Sequence, residues 1–420
     1  MKLLLINSVC GTGSTGRICV DIAREYEEKG YEVKIAYGRS EFVPEEAKSY
    51  AVRIGNKYEV YAHALYTRLT DRHGFGSKIG TKKFLKWADE FNPDIVWLHN
   101  IHGYYINIEL LFNWLKDRNI THPKMEIKWT LHDCWTMTGH CAYFTAAGCE
   151  KWKTGCINCP QKERYPESFV DRSNLNYKAK KELFTGLKNL TLITPSRWLA
   201  NLTRESFLKE YPVTVKYNTI DTDTFRKIEK DDERLVKLRE RYGLEGKEVI
   251  LGVSNVWDKR KGLNDLIKLS CLAGEEFATV IIGLNPKQIR DIDKTIQALT
   301  DELKSEAQSI ERDLGTSLSE ENSIVTDKGI AVKVGIGNLI RGFLQITKHD
   351  LPRVEIKSPK IICIPHTKDK EELACFYNLA DLFINPTYED NYPTVNLEAT
   401  ACGTKVLTYD VGGSGETIEN

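Results

Sequence analysis

Short apolar segments alternate with longer amphipathic segments along most of the chain. In the first half, strands are predicted at 3–7, 31–37, 95–99, 127–132 and 190–194. Helical patterns separate them, beginning with the stretch from Gly16 to Lys29. This strand–helix alternation predicts a parallel sheet that is covered by helices on both faces.

The same rhythm restarts in the second half, after a charged helical stretch that runs to Arg241. Another amphipathic helix begins at Leu263. The strands predicted here are 249–253, 278–284, 361–365, 381–386 and 405–410. We therefore predict two α/β domains, residues 1–225 and 226–420.

The segment 286–359 interrupts the second pattern and is interpreted as an insertion. Apolar residues recur at three- and four-residue spacing over 291–314, which predicts an amphipathic helix. The apolar, Gly-rich run 329–346 predicts a hairpin or a short packed helix. Because the segment shows no catalytic spacing, we expect a structural or interaction element more than a substrate contact.

Composition narrows the class of protein. Of the 420 residues, 41% are hydrophobic and 28% charged, which is typical of a globular chain. The 59 Lys and Arg balance the 59 Asp and Glu, so the chain has no excess of positive charge that would indicate nucleic-acid binding. The longest apolar runs are far shorter than the ~20 residues of a membrane span. The N-terminal run meets polar Asn7 at once, so we expect a strand rather than a signal peptide, and a cytoplasmic protein.

A Gly-rich motif, GTGSTG at 11–16, lies between the first strand and the first helix. Glycines let the backbone approach a phosphate, and a helix N-terminus offers N–H groups. A dinucleotide site also wants an acid after the second strand, but the sequence there is AYGR at 36–39. We therefore favour another phosphate- or sugar-facing loop over an NAD or NADP site or a plain tight turn. The candidate contacts are Gly11, Gly13, Ser14 and Thr15.

The predicted strands 95–99 and 127–132 each end in a histidine. Polar groups at the carboxyl ends of parallel strands lie where ligands of α/β proteins bind. An imidazole there can orient a hydroxyl or stabilise charge near neutral pH. The alternative is a histidine that hydrogen-bonds only to neighbouring backbone. The candidates are His99, Asn100, His132 and Asp133.

A cationic loop, KRKG at 259–262, follows the strand at 249–253 and leads into a helix. Such a loop can hold a diphosphate through its charge and the fork-shaped bonding of arginine. A solvated basic turn is the alternative. The candidates in this loop are Arg260 and Lys261.

Carboxylates follow the strand at 381–386, and a predicted helix follows them. Asp390 lies at the strand end and Glu398 inside the helix, so one can contact a sugar and the other a ribose diol. Solvated carboxylates at a helix start are the alternative. Amides near the helix start and a later small-residue loop can meet a phosphate. The candidates of this region are Glu389, Asp390, Thr394, Val395, Glu398 and Gly413.

Four cysteines share the spacing C-x7-C-x6-C-x2-C within 141–159. Four thiolates suit a tetrahedral structural zinc ion, and CxxC is a common half-site. The first pair is more widely spaced than in a zinc ribbon, so redox pairing and reduced packing cysteines remain as alternatives. The candidate ligands are Cys141, Cys149, Cys156 and Cys159.

Together these motifs resemble those of the retaining GT-B glycosyltransferases of family 4. In the second half the shared elements are RKG at 260–262, the acid pair Asp390 and Glu398 with EATACG at 398–403, and VGG at 411–413. The first half resembles a bacterial exopolysaccharide subgroup of that family through NSV-x-G-x-GSTGR, LHNIHGYY, TLHDCW-x-x-TGHC and GC-x-x-W-x-x-GC-x-x-CP. The resemblance covers the chain except for the insertion.

The resemblance implies two Rossmann-like domains whose parallel sheets face a central cleft with a nucleotide-sugar. It implies that Arg260 and Lys261 neutralise the donor diphosphate, and that the loop around Gly13 lies near the diphosphate and the acceptor. Asp390 would lie by the donor sugar, Glu398 on the ribose, and His132 by the sugar from the N-terminal side. No metal or other cofactor is implied for catalysis, because the basic side chains replace it electrostatically.

The activity implied is retaining sugar transfer from a nucleoside-diphosphate sugar to a glycan or lipid-linked glycan, in surface polysaccharide biosynthesis. The stretch 58–86 mixes aromatic residues with cations, so it can face an anionic membrane or simply be a solvated helix face. We therefore expect a cytoplasmic enzyme, with peripheral contact at the inner face of the plasma membrane as one expectation.

The sequence also departs from the family pattern. Asp390 replaces the first glutamate of the acid pair, Asn255 stands near an expected arginine, and Gly415 replaces an expected proline. The insertion splits the second domain, and Asn420 comes before the terminal helices that the family usually has. The main alternative is therefore an inactive relative that acts as a binding or scaffold subunit. A dinucleotide-dependent oxidoreductase is the more distant one.

Overall fold

The computed structural model describes residues 1–314, 323–347, 356, 358–367 and 369–419. The chain divides into two compact units, Met1–Asn218 and Thr219–Asn420. This boundary is close to the predicted one at 225/226. Each unit contains a seven-stranded sheet with buried apolar residues on both faces.

The first unit alternates strands and helices as predicted. Its strands are β1 (Lys2–Ile6), β2 (Glu32–Tyr37), β3 (Ala51–Arg53), β4 (Ile95–Leu98), β5 (Glu126–Thr130), β6 (Leu190–Thr194) and β7 (Val213–Val215). Its α-helices are α1 (Gly13–Glu28), α2 (Lys57–Thr70), α3 (Lys78–Phe91), α4 (Ile108–Thr121), α5 (Ser173–Phe184) and α6 (Arg197–Glu205).

The first sheet has the strand order β3-β2-β1-β4-β5-β6-β7, and all its pairs are parallel. The apolar runs explain this arrangement, since residues 3–6 of β1 are completely buried between two helical layers. The strand order reverses between β1 and β4, where Leu3 pairs with Ile95. Loops that leave the carboxyl ends of strands at such a reversal form the usual ligand crevice of this fold class.

The second unit follows the same scheme. Its strands are β8 (Glu248–Val253), β9 (Phe277–Ile282), β10 (Ser323–Thr326), β11 (Gly329–Val332), β12 (Ile361–Ile364), β13 (Leu382–Asn385) and β14 (Lys405–Tyr409). Its α-helices are α7 (Glu233–Tyr242), α8 (Leu263–Leu272), α9 (Pro286–Arg290), α10 (Ile292–Leu314), α11 (Ile336–Thr347), α12 (Lys370–Leu379), α13 (Thr394–Ala401) and α14 (Glu416–Glu419).

The second sheet has the strand order β10-β11-β14-β13-β8-β9-β12. Its pairs are parallel except for β10 with β11. Here the order reverses between β8 and β13, where Leu382 pairs with Ile250. The cationic loop after β8 and the acidic loop after β13 therefore leave the sheet side by side.

The segment interpreted as an insertion is part of the second sheet. The predicted helix is present as α10, and its buried Leu299 and Leu303 lie in the core cluster. The Gly-rich run forms both predicted alternatives, because β11 makes a hairpin with β10 and α11 follows it. Strand β11 pairs in parallel with β14 through Ile330 and Leu407, so this part of the segment has a structural role in the sheet. Parts of the predicted segment, 315–322, 348–355 and 357, lie outside the described residues.

Helix boundaries follow local capping chemistry. The Asp232 side chain accepts from the Arg234 amide at the start of α7, and Gly243 ends that helix with a φ of 59°. Asn285 and Gln288 form a capping box at the start of α9. In the part of the chain that the structure describes, no helix has both the length and the hydropathy needed to cross a membrane.

Candidate functional site

The cationic and acidic loops of the second unit meet where its strand order reverses. Lys261 Nζ lies 2.6 Å from Asp390 Oδ2. The Arg260 guanidinium donates to the backbone oxygen of Glu389 at 2.7 Å, and the Tyr388 amide donates to the backbone oxygen of Arg260 at 2.8 Å. The two loops are therefore joined through side chains and backbone, and the structure brings four predicted site residues together.

The carboxylate of Asp390 is held ionised within this site. Burial alone would raise the pKa of Asp390, but Lys261 and Arg260 hold it below the usual value. The side chains of Lys261 and Asp390 are only 18% and 16% exposed, so water screens their attraction weakly. The site therefore holds a fixed cation and a fixed anion at the edge of the sheet.

Two glycines allow these loops to approach each other. At Gly262, where φ is 71°, an added Cβ would lie 2.0 Å from the backbone oxygen of Pro386. At Gly412, where φ is 59°, it would lie 1.8 Å from the backbone oxygen of Asp390. The amide of Gly413 donates to the same Asp390 oxygen at 3.2 Å. Side chains larger than hydrogen at positions 262 and 412 are therefore incompatible with this geometry.

The helix after the acidic loop begins without a side-chain cap. Pro393 precedes Thr394 and provides no side-chain cap for the first amides of α13, which include that of Val395. Such an N-terminus attracts anions through its N–H groups and its dipole. Glu398 lies just over one turn into the helix, is buried, and accepts from the Tyr377 hydroxyl at 2.9 Å.

A carboxylate that the sequence analysis missed supports the acidic loop. Asp265, in the first turn of α8, accepts from the hydroxyls of Tyr388 and Tyr409, each at 2.6 Å. The two tyrosine rings lie 5.5 Å apart. This network attaches the acidic loop to α8. No spacing in the sequence indicates it, because its three members come from three distant segments.

The candidate histidines of the first unit lie together after β4 and β5. His99 Nδ1 lies 2.9 Å from His132 Nε2, and the rings are stacked with centroids 5.2 Å apart. Burial lowers the pKa of His99 well below its usual value and that of His132 to about 4. Both imidazoles are therefore neutral near pH 7, and one donates a hydrogen bond to the other.

A second polar chain begins at the neighbouring Asp133. Its Oδ2 lies 2.9 Å from His102 Nε2, and His102 Nδ1 lies 3.0 Å from the hydroxyl oxygen of Tyr165. Burial would raise the pKa of Asp133, but the facing His102 brings it below its usual value. Tyr165 was missed from the sequence, since it lies in an irregular segment with no strand or helix pattern.

The Gly-rich loop after β1 forms the turn that its motif predicts. Gly11 and Gly13 have φ values of 69° and 63°. Helix α1 begins at Gly13, and Thr12 before it makes no side-chain cap. An added Cβ at Gly13 would have no atom within 4 Å, and Ser14 beside it is exposed. The loop is therefore open towards solvent at its tip.

Asn7 connects the Gly-rich loop with the histidine loop. Its Nδ2 donates to Val9 O at 2.8 Å and to Thr15 Oγ1 at 3.4 Å, while its Oδ1 accepts from the Asn100 amide at 3.2 Å. Asn7 is fully buried at the end of β1. Its polar character in an apolar run was the only sequence signal, and we interpreted it merely as evidence against a signal peptide.

The four cysteines surround one cavity, which His140 also lines, but they do not form a metal centre. All four are free thiols, and the Cys141 thiol donates to the sulfur of Cys159. Among the described residues, no group of three or more His, Cys, Asp or Glu side chains is arranged to hold a metal ion. Burial raises the pKa of Cys156 to about 11, which favours the protonated thiol. The predicted tetrathiolate zinc arrangement is therefore not seen in this structure.

The region that contains the acidic loop matches a known family. Residues 356–420 match the family Glycosyl transferases group 1. The matched stretch includes Asp390, Glu398 and Gly413. The cationic loop at 259–262 lies outside it.

Two curated relatives extend the comparison. A protein of Escherichia coli strain K12, described as a colanic acid biosynthesis glycosyl transferase, WcaC, is 26% identical over 207 residues, which are 48% of this chain and 50% of the relative. The capsular polysaccharide biosynthesis glycosyltransferase CapM of Staphylococcus aureus is 28% identical over 107 residues, 24% of this chain and 26% of CapM. The chain thus spans about half the length of the first relative it matches.

Solved structures share the architecture over nearly the whole chain. Sucrose-phosphate synthase from Thermosynechococcus elongatus has a TM-score of 0.56 at 13% identity, covering 98% of this chain and 82% of that protein. Anabaena HepE, solved in complex with UDP-glucose, has a TM-score of 0.55 at 13% identity, covering 99% and 82%. The fold class is therefore GT-B, with two Rossmann-like units, which confirms the prediction from the sequence. Within that class, the sequence likeness is to glycosyltransferases of bacterial polysaccharide biosynthesis.

Proposed function

We propose that this chain is a retaining glycosyltransferase of family 4 that moves a hexosyl group from a nucleoside-diphosphate sugar to a hydroxyl acceptor. The observation that carries the proposal is the ionised pair of Lys261 and Asp390 at the strand reversal of the second unit. A fixed cation beside a fixed carboxylate suits a ligand that carries both phosphates and sugar hydroxyls.

The second unit binds the donor in this proposal. Lys261 and Arg260 neutralise the diphosphate, and the uncapped start of α13 at Thr394 and Val395 adds N–H groups for its oxygens. Asp390 accepts hydrogen bonds from the hydroxyls of the donor sugar. This division is supported by the charges, since the cations are the groups that a phosphate prefers and the carboxylate is one it avoids.

The base end of the donor is assigned to the buried carboxylate of α13. Glu398 accepts hydrogen bonds from the ribose diol, and its bond from Tyr377 holds it in place. Glu389 is buried, and its backbone oxygen accepts from Arg260. We therefore assign the carboxylate role at the sugar to Asp390 rather than to Glu389.

The first unit supplies the residues that contact the donor sugar from the N-terminal side and those that face the acceptor. His132 offers a neutral imidazole to a sugar hydroxyl, with His99 holding its ring through the 2.9 Å bond. The loop of Gly11, Gly13 and Ser14 offers backbone groups at an open surface. Neutral groups suit this role, because hydroxyls need hydrogen bonds and not charge.

In the proposed reaction the acceptor oxygen bonds to the anomeric carbon as the bond from that carbon to the phosphate oxygen breaks. The acceptor attacks from the face on which the phosphate departs, so the departing phosphate takes the acceptor proton and the anomeric configuration is retained. Lys261 and Arg260 stabilise the charge that develops on the diphosphate, which is where fixed positive groups lower a barrier most. The proposal therefore requires no metal or other cofactor.

The names of the relatives, which refer to colanic acid and capsular polysaccharide biosynthesis, support surface polysaccharide biosynthesis as the setting of this reaction. The acceptor in this proposal is a glycan or a lipid-linked glycan. Under this proposal the chain works in the cytoplasm, with peripheral contact at the inner face of the plasma membrane. It binds a nucleotide-sugar and no nucleic acid.

Thermal unfolding against a panel of nucleotides tests the proposal. The panel contains UDP, GDP, ADP, their sugar conjugates, NAD and NADP. A ligand at about 100 times its Kd should stabilise the protein by about 2.7 kcal/mol. At roughly 2–4 °C per kcal/mol, the expected rise in Tm is several degrees for one nucleoside-diphosphate series.

Matched variants locate the response. Lys261→Ala should abolish most of the shift, while Lys259→Ala, at the exposed lysine two residues earlier, should keep it. A shift with NAD or NADP alone would replace the proposal with an oxidoreductase. No shift with any nucleotide would favour a binding or scaffold subunit.

A further inference from the structure

Helix α5 carries a lysine whose side chain is enclosed by the first unit. Lys180 is 1% exposed and is one of the largest fully buried side chains in the described part of the chain. A lysine is rarely buried without a partner, because taking its charge out of water is costly. Among the described residues Lys180 forms no ion pair with a carboxylate, and its acceptors are two backbone oxygens. The contacts of its ammonium with this backbone must therefore offset the cost of its burial.

Both acceptors belong to one short turn. Lys180 Nζ donates to Trp135 O at 2.7 Å and to Thr138 O at 3.0 Å. The same nitrogen lies 3.4 Å from the centre of the Trp135 ring. We refer to residues 132–138 as the His132 turn, since it begins at that histidine. Lys180 therefore holds the turn at two points of its backbone and at one of its side chains.

The protonated form of the lysine fits these surroundings. An ammonium has three N–H donors and no lone pair, and two oxygens with the negative face of an indole ring give it three partners. A neutral amine would direct its lone pair at that face instead. Burial lowers the pKa of Lys180 to about 7, and the groups that oppose this effect are Cys156, Cys141, Asp133 and Asp71. Near pH 7 the ammonium is therefore still well populated.

The His132 turn carries two residues of the candidate site. The Trp135 amide donates to Asp133 Oδ1 at 2.9 Å. Asp133 Oδ2 lies 2.9 Å from His102 Nε2, and the rings of Trp135 and His102 have centroids 5.2 Å apart. A displacement of Trp135 would therefore move Asp133 and His102 together, and would pull on His132 through the chain.

We propose that Lys180 is a positioning residue, which holds the His132 turn so that His132 and Asp133 keep their geometry at the site. Lys180 has almost no exposed surface, so it acts through the turn and contacts no ligand itself. This inference rests on the proposed function for the role of His132, but not for the contacts that hold the turn.

Lys180→Met tests the proposal, because it keeps an unbranched apolar side chain and removes the charge and the donors. We expect kcat to fall about 100-fold, which is the effect that a small displacement of a positioned group can have. The Kd of the nucleotide should stay within about threefold of wild type, because the second unit binds it in the proposed function. Lys181→Met, at the exposed lysine that follows on α5, is the matched control and should keep the wild-type kcat.

A spectroscopic measurement tests the same contacts without turnover. In protein that carries isotope-labelled histidine, the imidazole signals of His102 and His132 should shift in Lys180→Met. The signal of His122, an exposed histidine after α4, should stay where it is. In protein that carries isotope-labelled lysine, the wild type should show a lysine signal that titrates near pH 7, far below the usual value of about 10.4.

A second variant covers the case in which Lys180→Met does not fold. Lys180→Gln keeps N–H donors for the turn and loses the charge. It should therefore shift the signals of His102 and His132 and lower kcat about tenfold, less than Lys180→Met does.

Three results would overturn the proposal. They are a wild-type kcat in both Lys180 variants, unchanged signals of His102 and His132 in those variants, and a wild type in which every lysine titrates near its usual pH. A wild type that transfers no sugar would reject the proposed function alone, because the histidine signals still report whether Lys180 holds the His132 turn.

Discussion

The strand reversals of the two units lie at corresponding places in two similar sheets, yet they hold opposite kinds of chemistry. The second unit places an ionised pair there, Lys261 with Asp390, joined at 2.6 Å. The first unit places His99 there, after β4, hydrogen-bonded to His132 after the adjacent β5, and burial holds both imidazoles neutral near pH 7. A shared fold therefore fixes where a site lies, while the residues at the strand ends decide what it binds.

The two kinds of chemistry also suit different parts of the proposed reaction. A fixed cation is useful where charge develops, which in sugar transfer is on the departing diphosphate. Neutral imidazoles are useful where hydroxyls must be oriented without a charge being desolvated. The comparison can be tested by substituting residues in the site of one unit and checking that the effect matches the role proposed for that unit.

The largest effect is expected at the charged site. Lys261→Ala should lower kcat/KM by about 100- to 1000-fold, because it removes positive charge from the diphosphate and leaves Asp390 without its partner. Initial rates with the nucleotide-sugar identified by the thermal panel give the measurement. Lys259→Ala, at an exposed position in the same loop, should change the rate little. A rate within threefold of wild type for Lys261→Ala would remove the cation from the mechanism.

A smaller effect, on stability, is expected from substituting one glycine in the cationic loop and one in the Gly-rich loop. Gly262→Ala should lower the free energy of unfolding by about 3 kcal/mol, since it combines a left-handed backbone with a Cβ only 2.0 Å from Pro386 O. Gly13→Ala should cost about 1 kcal/mol, because its backbone is also left-handed but its surroundings are open. Urea unfolding measures both. Equal losses would mean that the loop after β8 is not held tightly against the acidic loop.

The smallest effect concerns pH. A histidine whose pKa is lowered on folding takes up protons in the unfolded state first, so its contribution to stability is full above pH 6.5 and falls as pH falls towards its folded pKa. The pKa of His132 in the folded state is about 4, so its titration should lower the free energy of unfolding by about 1 kcal/mol between pH 6.5 and pH 5.5. Asp390 has the same direction of dependence at lower pH, because its lowered pKa affects stability only near and below its ordinary acidic pKa.

Unfolding free energies at pH 6.5 and 5.5 check this prediction. His132→Asn should reduce the loss over that interval by about 1 kcal/mol. His122→Asn, at an exposed histidine after α4, serves as the control and should leave the loss unchanged. An unchanged loss in His132→Asn would show that this imidazole is not held neutral by the fold.

Local periodicity predicted most elements of both sheets, as well as helix 291–314, observed at Ile292–Leu314. It did not predict that β11 joins the second sheet, because pairing with β14 depends on residues more than seventy positions apart. The interruption of a familiar pattern led us to treat the whole segment as an insertion.

The candidate site could also be predicted only in part from the sequence. Lys261 and Asp390 stood out because charged residues directly follow apolar strands. Asp265, Asn7 and Tyr165 did not, because each acts through a partner brought near only by the fold. The cysteine spacing led us to name a zinc site, with reduced packing cysteines as an alternative. Among the described residues, the four thiols line one cavity and no group of side chains is arranged to hold a metal ion.

The position of β8 in the second sheet has a consequence during synthesis. β8 pairs with β13, and the amide of Val249 bonds to Asp381, 132 positions later in the chain. At about 5–20 residues per second, a ribosome needs on the order of ten seconds to add that length. During that time one edge of an apolar strand has no partner in the nascent chain, which favours aggregation or binding by a chaperone. The second unit should therefore acquire protease resistance only after β13 has emerged, well after the first unit.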